Sequence, residues 1–253
     1  NLVEIIKGEK TGDAAVAKAL DYVQQIRKTP IVVNDSRGFF TSRVFATYTN
    51  EGLAMLGEGV SAAMIENQAR QAGMPVGPLA VSDEVSLSLM AHIRAQTQAD
   101  LAEEGKPAPL HPAFAVIERM LETHQRPGKA AGGGFYDYPA GGRKQLWPGL
   151  KSAFTEAAEQ PQAQEIRDRL LFIQAIETVR CLEEGVLTSV ADANIGSVFG
   201  IGFAAWSGGA LQFINQYGVA RFVARARELA ERHGERFAPP SLLLDKAATG
   251  GQF

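Results

Sequence analysis

The sequence contains almost no cysteine, no long apolar run and no excess of basic charge. Its single cysteine, Cys181, cannot form an internal disulfide, so we expect a reducing compartment and assign the chain to the cytoplasm. No apolar run approaches the roughly 20 residues of a membrane span, and no signal peptide is predicted after Asn1. A net charge of −3 makes nucleic acid a poor partner. Cysteine and histidine do not cluster at metal-ligand spacing, so no metal site is predicted.

The first residues form a strand–helix–strand pattern. Residues 2–6 and 30–33 are short runs of apolar β-type residues, and apolar side chains recur at helical spacing between them. Two such strands around a helix normally belong to a larger, covered sheet, yet no further strands are predicted. We therefore interpret residues 1–34 as the end of an α/β domain whose body precedes this excised chain. We expect them to pack on the helices that follow or on a neighbouring chain.

From residue 42 onward the apolar pattern is helical almost throughout. A Gly/Pro-rich segment at 126–149 interrupts the pattern and indicates a connection between two helical units. The predicted helices lie at about 42–57, 61–72, 83–104, 112–124, 150–159, 165–184, 188–195, 208–216, 218–234 and 239–247.

The two helical stretches resemble each other in sequence. Residues 43–66 align without gaps over residues 169–192, an offset of 126 residues, with matching arginines, glutamates and Glu-Gly-Val helix ends. Amphipathic helices that end in Glu-Gly can look alike without a common origin, but the shared placement of charges favours a duplication. We therefore predict helical domains at 35–149, including the connection, and at 150–253. Fusing two such copies would make a dimer interface internal, so the chain would contain a pseudo-dimer.

Five segments, in this order, resemble the 3-hydroxyacyl-CoA dehydrogenase family. They are LVEIIKG at 2–8, KTPIVVNDSRGFFTSRVF at 28–45, EGLAMLGEGV at 51–60, IENQARQAGMPVGPLAVSDEVSL at 65–87 and GGGFYDY at 132–138. The second helical stretch, which ends in VFGIGFAAWSGG, resembles the extra copy in multifunctional fatty-acid oxidation proteins. The resemblance implies a mainly α chain with two tandem helical domains of this family after the residual βαβ tail of a Rossmann domain. It also implies NAD as the cofactor.

Glu4 is the candidate catalytic residue that the resemblance implies. In the family this position holds the carboxylate that orients the catalytic histidine, and a carboxylate in that place fixes the imidazole tautomer and stabilises its charged form. Without the resemblance, a single glutamate in a strand is more often a surface residue. The family's histidine would precede Asn1, and the four histidines of this chain lie far downstream, so we expect the chain alone to be inactive.

Ser42 is the candidate substrate-binding residue and a departure from the family. Many members have an asparagine immediately before the arginine that corresponds to Arg43, and that asparagine helps to hold the reacting oxygen of the substrate. A serine hydroxyl can still donate one hydrogen bond, but with a shorter reach. Alternatively, Ser42 is the N-cap of the following helix, a role that serine favours.

The glycine-rich segments GGGFYDY and GIGFAAWSGG do not predict nucleotide binding. Neither has the strand–loop–helix context of a dinucleotide fingerprint or the Lys-Ser/Thr ending of a P-loop. No cofactor-binding residue is therefore predicted in this chain, and the resemblance places the NAD site in the upstream domain. The segment GMPVGP is interpreted first as a structural turn.

The leading functional hypothesis is a piece of an NAD-dependent 3-hydroxyacyl-CoA dehydrogenase of fatty-acid β-oxidation. The resemblance implies acyl-CoA as substrate, upstream NAD-binding and enoyl-CoA hydratase regions, a thiolase subunit as a possible partner, and a possible homodimer. An alternative is a catalytically silent helical interaction module, which Ser42 supports and the retention of Glu4 disfavours. A dehydrogenase of free hydroxy acids is disfavoured by the order of the family motifs.

Overall fold

The computed structural model describes all residues from 1 to 253 and is mainly helical, which confirms the predicted fold class. The helices are α1 Asp13–Gln25, α2 Thr41–Gly57, α3 Ala62–Gln71, α4 Pro78–Val85, α5 Leu87–Glu103, α6 Ala113–Glu118, α7 Leu150–Ala153, α8 Ala163–Glu183, α9 Val190–Ile201, α10 Ala210–Tyr217, α11 Val219–His233 and α12 Ser241–Thr249. The strands are β1 Leu2–Lys7, β2 Thr29–Asn34, β3 Tyr136–Asp137 and β4 Gln145–Leu146.

The chain divides into two compact units. The terminal unit comprises residues 1–48, 72–75 and 168–253, and the middle unit comprises residues 49–71 and 76–167. No helix is long and apolar enough to cross a membrane.

A parallel pair of strands, β1 and β2, opens the terminal unit. Two strands cannot form a stable sheet alone, so their backbone groups and apolar faces need other partners. Residues 186–187 supply backbone partners at the second edge of β2, and a carboxylate oxygen of Asp192 accepts the Val32 N–H at 3.2 Å. Ile31 and Val33 are almost fully buried. The strands therefore pack on the helical part of their own chain, as the sequence predicts.

Helix α9 lies close to the strands because it carries glycine where it meets them. A Cβ added at Gly196 would lie 2.8 Å from the Ile31 side chain and 2.7 Å from the Phe40 ring. Any larger residue would force the helix and the strands apart, so the glycine sets this packing distance.

Aromatic rings fill the core between α8, α10 and α11 in the terminal unit. Phe172 stacks on Phe222 with ring centroids 4.0 Å apart, and Phe213 and Tyr217 meet them edge to face. Stacked and edge-to-face pairs add to the stabilisation that burial of such large side chains supplies. This core anchors the helices that surround the strands.

Glu66 is a buried acid of the middle unit that holds the turn before α4. One carboxylate oxygen accepts the Leu79 N–H at 2.8 Å, and the other accepts the Tyr136 hydroxyl at 2.6 Å. Gly77 is required beside it, because an added Cβ would lie 2.4 Å from the Glu66 carboxylate. The second half of the GMPVGP segment is therefore structural in the middle unit, as predicted.

Asp83 binds the glycine-rich segment in the same way. Its carboxylate accepts the N–H groups of Phe135 and Tyr136 at 2.8 and 2.9 Å and the hydroxyl of Tyr138 at 3.0 Å. An added Cβ at Gly134 would overlap this carboxylate. GGGFYDY is thus a structural loop that closes on a buried acid.

The prediction differs from the structure at several elements, among them two helices and two short strands. The helix predicted at 83–104 is broken at Ser86, whose φ of 84° ends α4 and starts α5. The helix predicted at 150–159 ends at Ala153, because Phe154 is extended. Strands β3 and β4, which pair antiparallel, were not predicted; they are only two residues long and too short to show an alternating pattern.

The ends of α2 and α8 contain the same hydrogen bond, at positions 126 residues apart. This spacing is the offset of the predicted duplication. The N–H of Gly59 donates to Leu56 at 3.1 Å, and the N–H of Gly185 donates to Leu182 at 3.2 Å. Both glycines have positive φ, which suits the turn that ends a helix. These local features agree with a duplication, but the domain division at residues 35 and 150 stays a prediction.

We predict that Glu66→Gln removes a pH dependence from the stability of the middle unit. Burial raises the pKa of Glu66, and the hydrogen bonds from Tyr136 and Leu79 only partly oppose that rise. Because the pKa of Glu66 is higher in the folded than in the unfolded state, its protonated form stabilises the fold. This stabilisation is complete below the unfolded pKa of about 4.3. It is lost as pH rises through the folded pKa, at up to about 1.4 kcal/mol per pH unit. The free energy of unfolding of the glutamine variant should not fall with pH in this way.

Urea unfolding at several pH values would test this prediction through the fluorescence of Trp147, which belongs to the middle unit, in a Trp206→Phe background. Glu103→Gln, on an exposed position of α5, is the control and should keep the wild-type pH dependence. The prediction would be contradicted if the free energy of unfolding of Glu66→Gln depended on pH in the same way as that of the wild type.

Candidate functional site

The candidate site lies in the terminal unit, where the side chain of Glu4 on β1 meets the start of α2. One carboxylate oxygen, Oε1, accepts the N–H groups of Phe40 and Thr41 at 2.9 and 3.1 Å. The other oxygen, Oε2, accepts the hydroxyl of Thr41. A glutamate from a strand thus occupies the place of a helix N-cap.

This arrangement is electrostatically favourable. The first N–H groups of a helix have no partner within the helix, and the helix N-terminus carries a partial positive charge. The half-buried carboxylate of Glu4 satisfies two of these N–H groups and lies at the positive end of α2. The contact joins positions that are about 36 residues apart in sequence.

The turn between β2 and α2 aims these N–H groups at Glu4. Gly38 and Phe39 both have positive φ, at 77° and 49°, and the Phe39 N–H donates to the Ser36 carbonyl at 2.9 Å. The completely buried ring of Phe40 anchors the end of the turn. The chain therefore enters α2 at an angle that the buried ring and the strand both constrain.

Ser42 is exposed and lies in the first turn of α2, one residue after Thr41. The structure therefore brings Ser42 and Glu4 to the same helix end. The alternative interpretation of Ser42 as the N-cap is wrong, because the helix already begins at Thr41 and Glu4 accepts the N–H groups there. The Ser42 hydroxyl has no hydrogen-bond partner within the chain and is available to a ligand.

Thr41 is part of the site, although it was not identified from the sequence. Its methyl group packs beneath α9, where a Cβ added at Gly200 would lie 2.9 Å from Thr41 Cγ2 and 2.8 Å from Leu2 Cδ2. A hydroxyl next to Ser42 is an ordinary helix-start residue, so no sequence signal distinguishes it. Only the fold brings it to Glu4.

Ion pairs join α2 to α8 next to this site. The Arg43 guanidinium donates to Glu177 at 2.6 Å and to Glu184 at 2.6 Å, and it is largely buried. Cys181 is completely buried on the same helix, and burial raises the pKa of its thiol to about 12. Cys181 is therefore a neutral thiol at physiological pH and is unsuited to act as a nucleophile.

No histidine of the chain is a partner of Glu4. His92, His111 and His124 belong to the middle unit, and His233 lies at the end of α11, with its ring 6.2 Å from Phe237. The hydrogen-bond donors to Glu4 come only from Phe40 and Thr41. That none of these histidines is the catalytic base stays a prediction.

The second glycine-rich segment, GIGFAAWSGG, joins α9 to α10. Asn194 of α9 accepts the N–H groups of Leu211 and Gln212 at 3.0 and 3.1 Å and so satisfies the start of α10. Gly209 must be a glycine, because an added Cβ would lie 2.5 Å from Asn194. The segment is therefore built to hold two helices together.

The strand–loop–helix segment formed by β1 and α1 does not fit the phosphates of a dinucleotide. Its loop is closed by a hydrogen bond from the Gly8 N–H to the Thr11 hydroxyl at 3.1 Å. The helix then begins with Asp13, whose negative charge would repel a phosphate. The parallel strands and α1 fit the end of a nucleotide-binding sheet, but not its phosphate loop.

Comparison with known proteins identifies the family. Residues 38–138 match the family "3-hydroxyacyl-CoA dehydrogenase, C-terminal domain", and residues 1–36 match the family "3-hydroxyacyl-CoA dehydrogenase, NAD binding domain". Together these matches cover more than half of the chain. The chain belongs to the 3-hydroxyacyl-CoA dehydrogenase family. The NAD-binding domain is only partly present in it, as residues 1–36.

Curated relatives extend the similarity over the whole chain. The chain is 34% identical over 256 residues to the fatty acid oxidation complex subunit alpha of Shewanella loihica, and 35% identical over 260 residues to that of Pseudomonas aeruginosa. Each match covers 100% of this chain and 35% of the relative. The chain thus spans about a third of the length of these relatives.

Solved structures share the fold at lower identity. The 3-hydroxybutyryl-CoA dehydrogenase of Escherichia coli matches with a TM-score of 0.74 and 20% identity, over 98% of this chain and 67% of that one. The dehydrogenase part of multifunctional enzyme 1 from C. elegans matches with a TM-score of 0.67 and 22% identity, over 96% of this chain and 56% of that one. These similarities support the predicted fold.

We predict that Glu4→Ala loosens the start of α2. Removing a capping side chain costs about 0.5–2 kcal/mol, so the amides of Phe40 and Thr41 should exchange with solvent several-fold to about thirtyfold faster. Native-state amide hydrogen exchange by NMR would measure this change. Glu9→Ala, at an exposed position just after β1, is the control. Equal exchange at Phe40 and Thr41 in both variants would show that Glu4 does not stabilise the helix start.

Proposed function

We propose that the chain is the substrate-side part of an NAD-dependent 3-hydroxyacyl-CoA dehydrogenase that acts in fatty-acid β-oxidation. The observation that carries the proposal is the placement of Glu4 beside Ser42 at the start of α2, in a chain of this family. Positions that the resemblance marks for histidine orientation and for substrate binding thus lie next to each other in space. The names of the relatives, alpha subunits of fatty acid oxidation complexes, support β-oxidation as the setting.

Glu4 would orient the catalytic histidine of the upstream region. An ionised carboxylate has about four lone-pair sites, and three of them accept hydrogen bonds from Phe40 and Thr41. One site on Oε2 remains for an imidazole N–H. A carboxylate held in this way would fix the tautomer of the imidazole and stabilise its charged form while the 3-hydroxyl loses its proton.

Ser42 would donate a hydrogen bond to the oxygen at C3 of the acyl-CoA. Its hydroxyl is exposed and has no partner within the chain, and it lies at the positive end of α2. A donor placed there stabilises the negative charge that develops on the oxygen when its proton leaves. Bound NAD would accept the hydride from C3, and the upstream part of the NAD-binding domain would hold it.

The parent protein would be multifunctional and cytoplasmic. We propose that an NAD-binding region and an enoyl-CoA hydratase region precede this chain, that a thiolase subunit is a partner, and that a homodimer can form. The length of the relatives supports the upstream regions, and the buried free thiol of Cys181 supports a reducing compartment. The proposed duplicated domains, at 35–149 and 150–253, would make the helical part a pseudo-dimer.

A catalytically silent helical module is the second candidate, and two observations favour it. Glu4 has a structural task at the start of α2, so its retention does not by itself require catalysis. Ser42 in place of the family's asparagine points in the same direction. An activity assay of the parent protein separates the two candidates.

We predict that the chain joined to its upstream nucleotide-binding region oxidises NADH in the presence of acetoacetyl-CoA, and that Glu4→Gln lowers kcat by about 10²–10⁴-fold. A glutamine keeps a hydrogen-bond acceptor for the helix start but loses the charge that supports the imidazolium. The 253-residue chain alone should be silent, since it lacks the histidine. Absorbance at 340 nm measures turnover, and inactivity of the parent across several acyl lengths would favour the silent module.

We predict that Ser42→Ala in the same protein lowers kcat/KM by about tenfold to a thousandfold, because the substrate oxygen loses one donor. Ser42→Asn should retain activity, since its amide supplies a donor with a longer reach. Initial rates with acetoacetyl-CoA measure both variants, and Ser88→Ala, at an exposed position of α5, is the control. Wild-type kinetics for Ser42→Ala would exclude Ser42 from substrate binding.

A further inference from the structure

We propose that Thr41 is a positioning residue that controls how Glu4 meets the histidine, and that Gly200 of α9 holds Thr41 in the required rotamer. This inference rests on the proposed dehydrogenase function. It assigns a role in that function to residues other than Glu4 and Ser42, the two positions that the family resemblance marks. The observation behind it is that Thr41 contacts both oxygens of the Glu4 carboxylate, through its N–H and through its hydroxyl.

These two contacts fix the plane of the carboxylate. The N–H groups of Phe40 and Thr41 hold Oε1, and the hydroxyl of Thr41 holds Oε2. A carboxylate bound through only one oxygen can still rotate about its last torsion, whose energy profile is broad. The Thr41 hydroxyl removes that freedom and leaves one lone pair of Oε2 in a defined direction for the imidazole.

Gly200 restricts the choice of rotamer at Thr41. The side chain of threonine is branched at Cβ, so its methyl and hydroxyl groups turn together about one torsion. The methyl group packs at Gly200, where an added Cβ would lie 2.9 Å from Thr41 Cγ2 and 2.8 Å from Leu2 Cδ2. Leu2 can move the far end of its flexible side chain, whereas a rotation of the Thr41 methyl group away from this contact also changes the direction of the hydroxyl.

The Thr41 hydroxyl also tunes the charge that the histidine encounters. It donates to Oε2, the same oxygen that has a lone pair left for the imidazole N–H. A hydrogen bond to this oxygen withdraws negative charge from it and so weakens its stabilisation of the imidazolium. Without the hydroxyl, Oε2 would bind the imidazolium more strongly, and the histidine would keep its proton to higher pH.

Other charged and titratable groups around Glu4 stay the same in the variants of Thr41. Arg43 of α2 is paired with Glu177 and Glu184 of α8, and the buried thiol of Cys181 interacts electrostatically with Glu4. From α9, Asp192 accepts the N–H of Val32. Because none of these groups is altered, a change in the pH profile between Thr41 variants reports on the hydroxyl.

The test compares Thr41→Val and Thr41→Ser in the chain joined to its upstream nucleotide-binding region. Valine has nearly the shape of threonine without the hydroxyl, and serine keeps the hydroxyl. We expect Thr41→Val to lower kcat by about tenfold to a hundredfold with little change in KM for acetoacetyl-CoA, because the carboxylate loses its fixed direction. In the oxidation of 3-hydroxybutyryl-CoA, the acidic limb of its kcat/KM profile should move to higher pH. Thr41→Ser should restore both properties.

Gly200→Ala provides a second, independent variant, which leaves Thr41 in place. The added methyl group should displace the threonine hydroxyl and reproduce the loss of kcat and the shift of the acidic limb. Gly12→Ala is the matched control, since a Cβ added there meets no atom within 4 Å. Thermal unfolding of every variant shows whether the fold is retained.

Three results would overturn the inference, and they differ. If Glu4→Gln abolishes turnover while Thr41→Val keeps the wild-type kcat and pH profile, Thr41 serves only the stability of α2 and the dehydrogenase function still stands. If the parent protein itself shows no turnover with any acyl-CoA, the proposed function and this inference both fail. Loss of kcat in Thr41→Val without recovery in Thr41→Ser would also exclude the hydroxyl as the cause.

Discussion

The carboxylate of Glu4 at the start of α2 is the interaction on which the site depends. A helix that begins at a half-buried junction has N–H groups that need partners, and a strand residue supplies an acceptor for them. The same contact places a carboxyl group at the positive end of the helix. Stability and the proposed function therefore use one side chain, and the strand that carries it cannot shift relative to the helix without losing the hydrogen bonds.

Buried acids and glycines act as pairs in the middle unit. Glu66 lies against Gly77 and Asp83 against Gly134, and in each pair a Cβ on the glycine would overlap the carboxylate. The acids accept backbone N–H groups and tyrosine hydroxyls from segments far away in sequence. The motifs that identify this family therefore include residues that build the scaffold. Their presence is strong evidence for the fold and weaker evidence for the chemistry.

Helix α9 connects the second helical stretch with the candidate site. Its glycines approach the strands and Thr41 closely, while Asp192 in its first turn binds the edge of β2. Arg43 adds a second link, because it joins the first turn of α2 to two glutamates of α8. The second helical stretch is thus more than a spacer in the terminal unit, since its residues contact Thr41, Arg43 and β2 next to the carboxylate of Glu4.

The sequence by itself determined the class of fold, the existence of most helices and the positions of Glu4 and Ser42 in the family pattern. Helical periodicity and the Glu-Gly ends are local properties, so α2 and α8 were predicted to within two residues. The break at Ser86 was missed because neither glycine nor proline marks it. The contacts of Thr41 were decided only by the tertiary structure. Its partners, Glu4 and Gly200, lie in other elements, and hydrogen bonds and packing between distant segments leave no periodic trace in a sequence.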